Sequence, residues 1–125
     1  MNASEVGRTL VDLCTRGRNI EAIDTLFAKD VVSEEAVDSP EFPRVTKGIE
    51  GVRAKNQRWG ETNEVHGQEV GGPYPNGDEF AVVFALDFTP KAGPLAGRRV
   101  KMQEVALYTV KDGKVVHEKF FYSMG

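Results

Sequence analysis

The chain has 125 residues, 40% of them hydrophobic and 28% charged, a size and balance that fit one packed domain spanning residues 1–125 and exclude disorder. A formal net charge of -3 leaves no basic footprint for nucleic acid, and no apolar run approaches the roughly 20 residues of a membrane span. The opening MNASEVGRTL lacks the basic-then-apolar order of a secretion signal, so a cytoplasmic location is expected.

Val6, Leu10, Leu13 and Cys14 fall on one face at helical spacing and predict a first helix. Ser4 is its expected N-cap and Gly17 its expected stop. Asn2-Ala3-Ser4 matches a glycosylation sequon, which without a secretion signal is a chance match. Ile20, Ile23, Leu26 and Phe27 mark a second, short helix after Asn19, expected to end near Lys29-Asp30 before an extended piece at Val31-Val32. SEEAVDSPEFPRVTKG follows, and Pro40 and Pro43 bar a helix through its middle. Ile49, Val52, Asn56 and Trp59 then predict a third helix that ends near Gly60.

From Thr62 onward the period changes to two. A weakly alternating strand is expected over residues 64–70, and GGPYPNGD (71–78) reads as turn material. Phe80, Val82, Phe84, Leu86 and Phe88 share one face of the clearest strand. Its other face, Ala81, Val83, Ala85, Asp87 and Thr89, is small and suits a flat contact with a second copy. TPKAGPLAG is a loop, and VKMQEVALYTVKDGKVVHEKFFY is a hairpin turning at Asp112-Gly113. Helices followed by a meander make an α+β fold: a cone-shaped, curved antiparallel sheet wrapped around three N-terminal helices, with an internal cavity of the kind that holds ligands.

IEAIDTLFAKDVV (20–32), KGIEGVRAK (47–55) and EVALYTVKDGKVVHEKFFY (104–122) carry a resemblance that covers nearly the whole chain. In order and spacing they resemble the SnoaL-like branch of the nuclear transport factor 2-like superfamily, which includes ketosteroid isomerases, polyketide cyclases, epoxide hydrolases and dehydratases. Similarity to ketosteroid isomerase implies Glu35 at the general-base position and Glu104 at or beside the protonated acid of the oxyanion hole. The family's first-helix tyrosine is replaced by Val11, a departure. Similarity to limonene epoxide hydrolase is poorer, since Phe120 stands near its last-strand aspartate. SnoaL-like cyclases pair an acid with a histidine, and His66 with Glu104 is the comparable pair here. The resemblance also implies a homodimer formed through the sheet.

Glu35, His66 and Glu104 are therefore the candidate catalytic residues. Alternation puts Glu104 on one face with Met102, Ala106 and Tyr108, where apolar walls raise a carboxyl pKa toward neutrality. Its plain alternative is a surface carboxylate paired with Lys101, Lys119 or Arg53. Either Glu34 or Glu35 points inward, because neighbours in an extended segment alternate; a solvated loop is the alternative. His66 titrates near neutrality or is a sheet histidine; His117, amid Glu118 and Lys119, is a weaker candidate. Trp59, Tyr74, Phe84, Phe88, Met102, Tyr108 and Phe120 are the candidate pocket walls, with Trp59 and Tyr74 at the rim, although aromatic residues at strand spacing also pack sheets without a ligand.

Two histidines and a lone Cys14 give no metal-ligand spacing, and no phosphate loop or dinucleotide fingerprint is present, so no metal and no cofactor are expected. Cys14 agrees with a reducing compartment and, on the apolar helix face, reads as a buried inert thiol. Lys91, Arg98, Arg99 and Lys101 read as a solvated strand end. Two functions stay open: an isomerase-, cyclase- or dehydratase-type enzyme acting on a small, mostly apolar carbonyl compound, and a non-catalytic dimeric module binding a ligand or a protein.

Overall fold

The structure, a computed structural model, describes residues 1–40 and 42–123. Helix α1 (Ala3–Thr15) is capped by Asn2, not Ser4. The Asn2 side chain accepts from the Glu5 amide at 2.9 Å and the Glu5 carboxylate accepts from the Asn2 amide at 3.1 Å, a reciprocal capping box. Ser4 lies inside the helix, where its hydroxyl accepts from Arg8. Gly17 ends the helix as expected, at φ 74°. The amides of Gly17 and Arg18 close back onto the carbonyls of Cys14 and Leu13.

Helix α2 (Asn19–Leu26) is shorter than its apolar spacing predicts. Phe27 is already extended and pairs with Val115, so strand β1 (Phe27–Glu34) begins there. Exposed Lys29 and Asp30 fall where the β1 register shifts, which is why they resemble a helix end. After β1, residues 35–44 carry neither helix nor strand among those described. Strand β2 (Val45–Lys47) and helix α3 (Ile49–Thr62) follow.

Strand β3 (Asn63–Asn76) runs through most of the segment expected to be a turn. Only Gly77 and Asp78 separate it from β4 (Glu79–Pro90). Gly72 and Pro73 sit where the β3 register is irregular, and Pro is tolerated there because β3 is an edge strand. Strands β5 (Val100–Lys111) and β6 (Lys114–Phe121) form the predicted hairpin. Asp112 at φ 53° and Gly113 at φ 76° make its tight turn.

The strands form one six-stranded, curved sheet in the order β2-β1-β6-β5-β4-β3. The α+β class holds, with one difference from expectation: β1 pairs with β6 in parallel, so the sheet is mixed. A strand that precedes the meander by a long connection can join its far edge in either direction. The helices cover one sheet face. Val6, Leu10, Leu26 and Val52 from the helices meet Val31, Phe80, Val82 and Val115 from the sheet in the core. Phe80, Val82, Phe84 and Phe88 are buried on that face as their alternation predicts. No helix among the described residues is long and apolar enough to cross a membrane.

Candidate functional site

Between the helices and the inner sheet face lies a pocket of about 410 Å³. Strand parity explains its lining. Phe84 and Glu104 are register partners on β4 and β5, and so are Leu86 and Met102. Partners share a face, so all of them face the helices with Phe80 and Phe88. Of the predicted residues, Glu35, Trp59, Phe84, Phe88, Met102, Glu104, Tyr108 and Phe120 line this pocket. Trp59 from α3 meets Phe88 edge-on at 5.2 Å between ring centroids. Tyr108 stacks on Phe80 at 5.0 Å.

Two predicted site residues lie elsewhere. His66 occupies the register shift of β3 between Val65 and Gly67, is exposed, and bonds Thr89 through Nε2 at 2.7 Å. That bulge breaks the parity expected to hold His66 and Gln68 on one face. Gln68 lines the pocket and His66 does not, so the His66–Glu104 pair is not formed. Tyr74 follows the second β3 irregularity, pairs with Ala81, and is 59% exposed. It does not form a pocket rim.

The choice between Glu34 and Glu35 is resolved by alternation. Glu34 meets His117 at 3.1 Å and Arg44 at 3.8 Å, away from the pocket. Glu35 lines it, and both of its oxygens are engaged: Tyr122 donates to one at 3.0 Å and Lys55 to the other at 2.8 Å. Lys55 also donates to Ser33 Oγ at 2.6 Å and lies 5.5 Å from the centre of the Phe120 ring. Ser33 donates to Glu118 at 2.7 Å, and the Tyr108 hydroxyl donates to the same carboxylate. The outcome is a chain, Tyr122–Glu35–Lys55–Ser33–Glu118–Tyr108, part-buried at its Tyr122 end and buried at its Tyr108 end, along one end of the pocket.

Glu118 and Lys55 escaped the sequence reading for different reasons. A strict two-residue hairpin puts His117 opposite Tyr108. An irregularity between Thr109 and Val110 moves Glu118 there instead, and Glu118 is 3% exposed. No local signal in VVHEKFF announces that bulge. Lys55 had a signal: it follows Val52 by three residues and precedes Trp59 by four, so it belongs to the apolar face of α3.

Glu104 differs from its neighbours. No hydrogen bond reaches its side chain among the described residues, and it is half-buried in the pocket lining. Its pKa is pushed up to about 7, chiefly by burial, then by the nearby Glu35 and Glu118 carboxylates, against the pull of Lys55. Burial also raises Glu118, while Lys55 and the Ser33 hydroxyl oppose the rise. Cys14, at the α1 end, is pushed up to about 12 by burial and then by Glu118, so its thiol stays protonated and inert. Among the described residues no group of three or more His, Cys, Asp or Glu side chains is placed to hold a metal ion. The arrangement offers one carboxyl group able to give or take a proton near neutrality and one ammonium anchored beside it.

The SnoaL-like domain family matches residues 1–122, so the chain belongs to that family. A Mesorhizobium loti structure named as a SnoaL-like polyketide cyclase is similar to this chain at 45% identity and a TM-score of 0.90, covering 98% of this chain and 100% of its own. A Burkholderia thailandensis nuclear transport factor 2-like protein shares the fold at 15% identity, TM-score 0.80, with 97% and 90% covered. So does a Catenulispora acidiphila protein with a ketosteroid isomerase-like fold, solved in complex with trimethylamine, at 19% identity, TM-score 0.73, with 98% and 88% covered. No match is found among curated proteins.

Proposed function

We propose that this SnoaL-like domain binds a small, mostly apolar carbonyl compound in its pocket and moves a proton on the carbon beside the carbonyl. The observation that carries the reading is Glu104, which lines the pocket beside Phe84 and Met102 and, among the described residues, has no hydrogen-bond partner. As carboxylate it takes the proton, and the C–H electron pair moves into the enolate. Lys55 then has a role that follows from donor arithmetic. An ammonium has three N–H groups, and Lys55 commits donors to Glu35 and to Ser33. A third N–H remains for the enolate oxygen. Return of the proton from Glu104 to the same or another carbon completes an exchange or an isomerisation. Cyclisation and dehydration begin from the same enolate.

The test is α-hydrogen exchange of 2-tetralone in D2O, followed by NMR. The wild-type chain should accelerate the exchange, and Glu104→Gln should return it to the buffer rate. Equal rates for the two proteins would contradict the reading.

One observation favours the second reading, a non-catalytic binding module. Both oxygens of Glu35, the family-implied base, are engaged by Lys55 and Tyr122. Binding of 2-tetralone without accelerated exchange would select that reading. In either case we propose a homodimer through the outer sheet face, where Val105 and Phe121 are 38% and 48% exposed beside the small side chains of β4. Sedimentation of a monomer at micromolar concentration would contradict it.

A further inference from the structure

Gln68 stands at the other end of the pocket from the carboxylates. It pairs with Leu86, Leu86 pairs with Met102, and Glu104 lies two residues along β5 from Met102. Two strand spacings of about 4.8 Å and two residues of about 3.3 Å put the Cα atoms of Gln68 and Glu104 roughly 12 Å apart. The inner-face side chains between these ends, Phe84, Leu86 and Met102, are apolar and line the same pocket. Along the inner sheet face the pocket is therefore polar at two ends and apolar between them.

The bonding of Gln68 decides what it offers. Its Nε2 donates to the Cys14 carbonyl at 2.8 Å and to Asn19 Oδ1 at 3.2 Å. A primary amide has two N–H donors and one carbonyl acceptor. Both donors are committed to the protein, where they tie β3 to the end of α1 and the start of α2. No hydrogen bond reaches Oε1 among the described residues, so the Gln68 amide presents an acceptor and no spare donor. A ligand that satisfies it must donate. The opposite end holds Glu35, Glu104 and Glu118 against the single ammonium of Lys55, a balance that disfavours an anionic ligand.

We propose that the ligand is an uncharged, elongated apolar molecule with a carbonyl at the Glu104–Lys55 end and a hydroxyl at the Gln68 end. This rests on the carbonyl reading above and adds the second polar group. It makes Gln68 a specificity-determining residue with no part in moving the proton.

The test uses the full chain and isothermal titration calorimetry with 2-acetylnaphthalene and its 6-hydroxy and 6-methoxy derivatives. In the derivatives the oxygen and the carbonyl stand at opposite ends of two fused rings. The 6-hydroxy ketone should bind wild type roughly tenfold tighter than the other two, the gain from one well-placed hydrogen bond. Gln68→Leu should remove that advantage, bringing the affinities for the 6-hydroxy and 6-methoxy ketones together. Equal affinities of wild type for the three ketones would overturn the inference while leaving the carbonyl reading intact. Binding by none of them would overturn the carbonyl reading, and this inference with it. The wild-type ligand series decides the matter even if Gln68→Leu folds poorly.

Discussion

Asp87 and Glu104 carry the same functional group on neighbouring strands and face opposite sides of one sheet. Asp87 lies on the outer face, where Arg99 grips both of its oxygens at 2.8 and 2.7 Å. That hydrogen-bonded partner, with Arg99 and Lys101 charges nearby, holds the Asp87 carboxyl below its ordinary value. Glu104 lies on the inner face, without a bonded partner among the described residues, and burial beside Glu35 and Glu118 pushes it up to about 7. Chemistry near neutral pH requires the second environment. The inner face also keeps its one lysine occupied. Lys55 pairs with Glu35 directly and reaches Glu118 through Ser33, so among the described residues Glu104 is the pocket carboxyl group left unbonded.

Substitutions can break this contrast. The largest effect is expected from Glu104→Gln, which should lower 2-tetralone exchange by about 10²–10⁴-fold, the usual contribution of a positioned acid or base. In wild type the rate should rise with pH and level off above about 7, as Glu104 loses its proton. Next, Lys55→Met should destabilise the fold by about 3 kcal/mol in urea unfolding, because it leaves the part-buried Glu35 without its cation.

Stability against pH sharpens the contrast further. The folded-state pKa of Glu104 is raised, so between the ordinary value of 4.5 and about 7 the folded state holds a proton that the unfolded state has released. Stability should therefore fall as pH rises through that window, by about 3 kcal/mol from this group. Glu104→Gln should flatten that part of the curve measured by urea melts. The smallest effects belong to the outer face. His66→Ala should leave exchange unchanged, since His66 does not line the pocket. Asp87→Asn should leave the unfolding midpoint unchanged, since its partner is exposed on the surface.

Most of the inner face was legible from alternation. Phe80 through Phe88 and Met102 through Tyr108 are long strands in regular register, and their parity held. It failed where a strand carries an extra residue. The first β3 irregularity turned His66 out of the pocket and the β6 irregularity turned Glu118 in, while Tyr74, expected in a turn, lies on β3 beyond its second irregularity. A period-2 argument has no means of seeing a bulge, which reverses every side chain beyond it. The parallel β1–β6 pairing was hidden for a related reason. It depends on where a long connection returns, and no local pattern in Phe27–Glu34 encodes its partner. The Asn2 cap was missed in favour of Ser4 although its capping-box partner Glu5 stands three residues on, a signal the sequence does contain.

The most direct test of the contrast is a carboxyl-carbon NMR titration of the wild-type chain, with Glu104→Gln to assign the resonance. The Glu104 midpoint is expected near 7, falling in Glu35→Gln as one neighbouring negative charge is removed. A midpoint at the ordinary glutamate value, unmoved by Glu35→Gln, would make Glu104 a solvated carboxylate like any on the outer face and contradict the account.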